Sequence, residues 1–146
     1  RFLDRIRSDQ LRRLCEDWYA VAGSGGIPHY DEGVAQVLAD ADYGALAEVT
    51  QAAPFRCRIT RMGQRLEETL RAQGGATCKL TDEIDGKLKE TYQQCFFSGT
   101  PTYERLSMRL QHKRVGFERL LLPFRALAVD HATHLVAYVT FSGLDL

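Results

Sequence analysis

The side chains here that could do chemistry are four cysteines, four histidines and a scatter of acids and hydroxyls, and their spacing decides what is open to them. Cys15, Cys57, Cys78 and Cys95 include no CxxC pair, and no two stand close together with a histidine at metal-ligand spacing, so the expectation is reduced thiols and no metal. Nucleophilic catalysis needs a Ser or Cys beside a base that is itself oriented. The chain has no GxSxG elbow, and no phosphate-cradling glycine loop follows a strand. Glu67 and Glu68 are neighbours, and on a helix adjacent side chains point apart, which makes them a solvated face. Tyr92 with Asp85 is the nearest equivalent of the polar group that small α+β isomerases hold inside an apolar cup. A small-molecule-binding or isomerase-like domain is therefore the rival reading, and the leading expectation is a protein that is not an enzyme.

Positioning such groups takes a folded core. The chain has 146 residues, 45% hydrophobic and 26% charged, which suits one globular domain that is stable without disulfides. Lys plus Arg and Asp plus Glu both total 19, so no general pull toward nucleic acid or an anionic membrane is expected. The most basic stretch, Arg1, Arg5, Arg7, Arg12 and Arg13, is interleaved with Asp4, Asp9, Glu16 and Asp17 and reads as a solvated helix face. The sequence holds no apolar run of about 18 residues and no signal-peptide pattern at its start, so the expected location is cytoplasmic, with no membrane partner.

Residues 1–22 are predicted helical, with Leu11, Leu14, Trp18 and Val21 on one stripe; Ser8 is placed to cap a second helix, leaving one helix or two. Gly23 to Gly26 end it and Ile27-Pro28 begin a link. Residues 31–50, rich in alanine, carry a second helical pattern through Val34, Val37, Leu38, Leu46 and Val49. Phe55, Cys57 and Ile59 alternate with Arg56, Arg58 and Thr60 as a strand. Residues 64–84 admit either a short helix or a strand around Leu66 and Leu70, then a turn at Gly74-Gly75 and a helical turn capped by Thr81. Residues 85–98 form the clearest internal helix, through Leu88, Thr91, Tyr92, Cys95 and Phe96, stopped by Ser98-Gly99 and Pro101. Three alternating runs follow at about 102–112, 116–128 and 133–141, joined by short turns as an antiparallel meander. The fold class is α+β, with the helix at 85–98 and the short elements before it as cover for the meander. Pro123 in the second run cannot donate to a ladder and belongs at an edge or a bulge.

That order of elements resembles the PAS fold. The motifs are similar to those of the short PAS-like proteins common in alphaproteobacteria: Leu14 and Trp18 in the first helix, Gly26-Ile27-Pro28, Tyr92 with Ser98-Gly99-Thr100-Pro101, and above all Phe117-Glu118-Arg119-Leu120-Leu121-Leu122-Pro123. The resemblance spans about residues 11–142 and departs from the family pattern between Gly63 and Ile84. It implies a PAS-like antiparallel sheet with helices on one face, built as an N-terminal helical extension (1–50) and a PAS-like core (51–146) of one structural domain.

The resemblance also implies a sensory or protein-interaction role. With the chain ending at Leu146, just after the last run, the signal is expected to leave by binding a signalling-protein partner or by dimerisation. The stripe Leu11, Leu14, Trp18 and Val21 is the expected homodimer interface, since it must be buried on its own sheet or on a partner. A small apolar ligand would lie between the sheet and the helix at 85–98, lined by Tyr92, Cys95, Phe96, Met108, Leu122 and Tyr138, unless these residues simply fill the core. The face of Leu120, Leu122, Phe124 and Ala126 is expected to point at that helix. No cofactor is named: that helix has no histidine for haem, and Cys95 lies in no flavin-binding motif.

Overall fold

The computed structural model describes residues 2–23, 26–31, 43–72, 84, 86–110 and 113–142. A single 3-10 turn, Leu3–Arg5, precedes helix α1, Asp9–Ala22. Ser8 divides the two, because its extended backbone (ψ 124°) breaks the turn while its Oγ accepts the Leu11 amide at 3.2 Å as an N-cap. Leu11, Cys15 and Trp18 recur along one side of α1 and are buried. The 3-10 turn and α1 lie on one face of a five-stranded antiparallel sheet of order β2-β1-β5-β4-β3. The strands are β1 Gly44–Ala52, β2 Phe55–Met62, β3 Thr102–Leu110, β4 Lys113–Phe124 and β5 His134–Ser142. Helices α2, Gln64–Ala72, and α3, Gly86–Ser98, lie on the other face.

The three C-terminal runs are consecutive neighbours, in the register Leu120 opposite Tyr138 and Leu121 opposite Ala137. The second run ends at Phe124 rather than reaching 128, since the chain there turns through Ala128 (φ 68°) and the Ala126 amide bonds to Thr133 Oγ1 at 2.8 Å. Pro123 sits where its missing donor costs nothing. β3 begins at Thr102 opposite Leu121, so Pro123 lies beyond the end of β3 and pairs only with Leu135 of β5, without a bulge in that ladder. Residues 64–72 are helix, with Leu66 buried beneath α2. α3 stops at Gly99, whose φ of 65° an L side chain rarely adopts and whose added Cβ would meet Ile27 Cδ1 at 3.2 Å.

The helix expected over 31–50 is overturned where it is described. Residues 44–52 are strand β1, paired with both β2 and β5, and 32–42 lie outside the described residues. Ala45, Leu46 and Ala47 are all buried because β1 is central and covered on both faces, and a strand buried twice loses the alternation that marks it in sequence. Small side chains suit a strand packed between layers, and this context overrides alanine's helical preference.

The stripe expected at a dimer interface is largely used within the chain. Leu11 and Trp18 pack with Leu46, Leu120, Leu122, Val136 and Tyr138, and Leu14 is half-buried on the same cluster, whereas Val21 is 74% exposed. Trp18 Nε1 also donates to the carbonyl of Pro123 at 2.8 Å. Trp18→Ala should therefore cost the protein about 3–5 kcal/mol in urea denaturation, while Val21→Asp should stay within about 0.5 kcal/mol of the parent. A silent Trp18→Ala beside a disruptive Val21→Asp would mean that α1 is seated on a partner instead.

Candidate functional site

Helix α3 presents Tyr92, Cys95 and Phe96 to the sheet, with Tyr92 2% exposed. They pack with Phe55, Cys57 and Ile59 of β2, Leu66 of α2, Leu121 of β4, and Leu135 and Ala137 of β5. Phe55 and Phe96 meet at 5.3 Å between ring centres. The Ile84 amide, just before α3, donates to the Cys57 carbonyl at 3.0 Å and ties the start of the helix to β2. This is the place where the sequence put a ligand, and the structure brings together three of the six lining residues expected there.

Two of the other three are elsewhere. Leu122 and Tyr138 lie on the opposite face, under α1, with Leu120 and Phe124. The expectation that Leu120, Leu122 and Phe124 face α3 is therefore inverted, and Leu121 is the β4 residue that reaches α3. The reason is that Leu120, Leu121 and Leu122 are all apolar, so alternation cannot say which helix each face meets. Met108 stands in β3 opposite Val115, and its side chain is outside what is described. Asp85, the suggested partner of Tyr92, is also outside the described residues.

Burial sets the chemistry of the thiols. Desolvation pushes Cys95 up to about 12, slightly opposed by a hydrogen bond from Thr102, and pushes Cys15 up to about 11 with the nearby charge of Glu16 adding to it. Tyr138 rises to about 12 for the same desolvation reason. Cys15, Cys57 and Cys95 are buried and form no disulfide among the described residues, and Cys78 lies outside the described residues. Among the described residues no cluster of metal-ligating side chains is present.

The charged pair inside the motif on β4 has a role that its spacing alone did not disclose. Glu118 points to the α1 face. Its Oε1 accepts the amides of Arg7 at 3.2 Å and Ser8 at 3.0 Å and the Tyr103 hydroxyl at 2.6 Å, and its Oε2 accepts from Thr140 at 3.4 Å. Burial, and then this hydrogen bond to Glu118, raise the Tyr103 hydroxyl above its ordinary range. Arg119 points to the α3 face, where it pairs with Glu104 of β3, whose other oxygen accepts from Thr91 of α3 at 3.3 Å. The Arg119 guanidinium also lies 5.8 Å from the Phe117 ring centre. Two consecutive charges in an otherwise apolar strand were the available signal.

Two of the open grooves among the described residues border these elements. One, of about 650 Å³, lies at the end of α3 and is lined by Phe96, Phe97, Thr100, Arg125, Asp130 and His131 among others. The other, of about 920 Å³, lies between the 3-10 turn and the β3–β4 hairpin. Arg5 and Arg7 line it, and the break at Ser8, one of the two arrangements the sequence allowed, keeps them off α1.

No protein-family model matches the sequence, and no curated protein matches it. Among solved structures, the chain is similar to one described as an RNA-binding light-oxygen-voltage receptor, with a TM-score of 0.51 and 17% identity over 75% of this chain. The match spans 32% of that receptor, so the likeness concerns about a third of its length. At this identity the likeness defines the fold. The protein has a PAS-like α+β fold, a five-stranded antiparallel sheet with an additional N-terminal helix.

Two outcomes are expected of the site. Glu118→Gln keeps the shape but removes the charge that gathers the Arg7 and Ser8 amides, and should cost about 1–3 kcal/mol, read as a lower midpoint in urea. Cys15, Cys95 and Tyr138 ionise later in the folded state than in the unfolded one. Their contribution is whole below pH 9, the ordinary thiol value, and is lost as the pH climbs toward about 12. Thermal unfolding midpoints should fall across that alkaline range and fall less steeply in Cys95→Ala. An identical slope in that variant would show that burial of the thiol has no such effect.

Proposed function

We propose that this chain is a sensory or protein-interaction domain of PAS type that acts without catalysis and hands its state to a protein partner. The observation that supports the reading is the pair Glu118-Arg119, which links the helices on the two faces through one strand. A displacement of α3 reaches Arg119 through Thr91 and Glu104, and the neighbouring residue holds the start of α1. α1 can thus report events on the far face of the sheet. The likeness to a receptor supports the same direction. The zero net charge favours a protein partner over nucleic acid. No described helix is long and apolar enough to cross a membrane, and a cytoplasmic setting belongs to the proposal. So does a homodimer; on α1, Tyr19 and Val21 are the large apolar side chains left exposed to make it.

A small apolar ligand would have to enter among Tyr92, Cys95 and Phe96, which are closely packed. Native mass spectrometry of freshly purified protein, with Cys95→Trp alongside, separates a chemical sensor from a contact module. The contact module should carry no ligand, and Cys95→Trp should overpack it and cost about 1–3 kcal/mol. A retained molecule with a tolerated Cys95→Trp would show a chemical sensor instead. The link itself is tested by hydrogen exchange in Glu104→Gln. Exchange should rise in α3 and also in residues 9–22 of α1, with β1 and β2 unchanged. A rise confined to α3 would sink the proposed coupling.

A further inference from the structure

The groove between the 3-10 turn and the β3–β4 hairpin is lined by Asp4, Arg5 and Arg7 on one side and by residues 103–107 and 116–118 on the other. Its volume of about 920 Å³ lies within the range of about 300–1,000 Å³ usual for small-molecule sites. Arg105 and Ser107 share the sheet face on which Glu118 and Gly116 lie opposite them. Gly116 has no side chain to fill the space in front of Ser107. Arg114 of β4 reaches across to Ser107, with Nη1 2.8 Å from its Oγ.

The balance of charge in this groove is set by which groups are already engaged. Glu118 is taken up by two backbone amides and the Tyr103 hydroxyl, and Glu104 by Arg119. Among the described residues, the guanidinium groups of Arg5, Arg7 and Arg105 have no hydrogen-bond or ion-pair partner. Asp4 is a third carboxylate on the rim and itself has a partner. Three guanidinium groups around a concave surface, with Glu104 and Glu118 committed elsewhere, make a site for an anion. Guanidinium is the group that suits phosphate, since its planar fork matches two oxygens at once. The backbone that carries the arginines is held in place, because the Arg7 amide is one of the donors to Glu118.

We propose that this groove binds a phosphate-bearing small molecule, with Arg5, Arg7 and Arg105 on its phosphate oxygens. Arg5 and Arg7 belong to the segment that leads into α1, and Arg105 to the edge strand β3. An occupied groove straps the start of α1 to the sheet. The site goes beyond the sensory reading and does not depend on it.

The test is titration of the full chain with inorganic pyrophosphate and with ATP, followed by calorimetry and by the fluorescence of Trp18, the single tryptophan. Saturable binding at one site is expected, weaker as salt rises. Arg5→Gln and Arg105→Gln should each weaken it by about tenfold or more, with circular dichroism confirming that both variants are folded. Arg58→Gln, on the exposed side of β2 at the opposite edge of the sheet, should leave it unchanged. Absence of saturable binding, or an equal loss in Arg58→Gln, overturns the proposal. A single-stranded oligonucleotide that binds where pyrophosphate and ATP do not would overturn it in favour of a nucleic-acid surface.

Discussion

Strand β4 lies between two helical layers, and the grip of its Glu118 carboxylate on the amides of Arg7 and Ser8 is the contact on which the N-terminal half of the packing depends. The amides at the start of a helix have no partner within it. Here Ser8 caps Leu11 from within the chain while Glu118 takes the donors just before α1. A carboxylate there is also favoured by the positive end of the helix. With its first turn fixed, α1 can lay only one side on the sheet, and that side carries Leu11, Cys15 and Trp18.

The next residue does the same for the other layer. Arg119 emerges on the α3 side and meets Glu104, which also bonds to Thr91 of the helix. Consecutive residues of a strand point to opposite faces, so a Glu-Arg pair is the shortest sequence that can place one charge in each layer. Both charges are largely shielded from water, and each is tolerable because its oxygens or nitrogens find partners. Arg119 Nε is the exception: it is buried with no hydrogen-bond partner among the described residues.

Covering both faces explains the composition of the central strands. β4 runs Leu120, Leu121, Leu122 and β5 runs Leu135, Val136, Ala137, Tyr138, with every one of these residues buried. Polar residues stand where the helices do not reach, as at Arg105 and Ser107 in the groove beside the 3-10 turn. The same arrangement buries Cys15 and Cys95 on opposite faces, and desolvation raises both thiols above their ordinary value.

Much of this architecture was legible in the residues. The Ser8 cap, the Gly99 stop, the helix bearing Tyr92, Cys95 and Phe96, and the order of the three C-terminal strands all follow from local rules of spacing, capping and turn chemistry. What depended on neighbours distant in the chain did not. Residues 44–50 read as helix because a strand buried on both sides carries no period of two, and alanine's preference then prevails. Leu122 and Tyr138 were assigned to the wrong side of the sheet because a run of apolar residues looks the same from either face. Arg5, Arg7 and Arg105 became a groove only when the 3-10 turn was brought over β3, across about a hundred residues of chain. By itself the sequence determined the local elements and their ends, since those are set by contacts within a few residues; only the tertiary structure decided which face each apolar side chain meets and which charges converge, since those are set by pairing between strands and by the layer packed on each side.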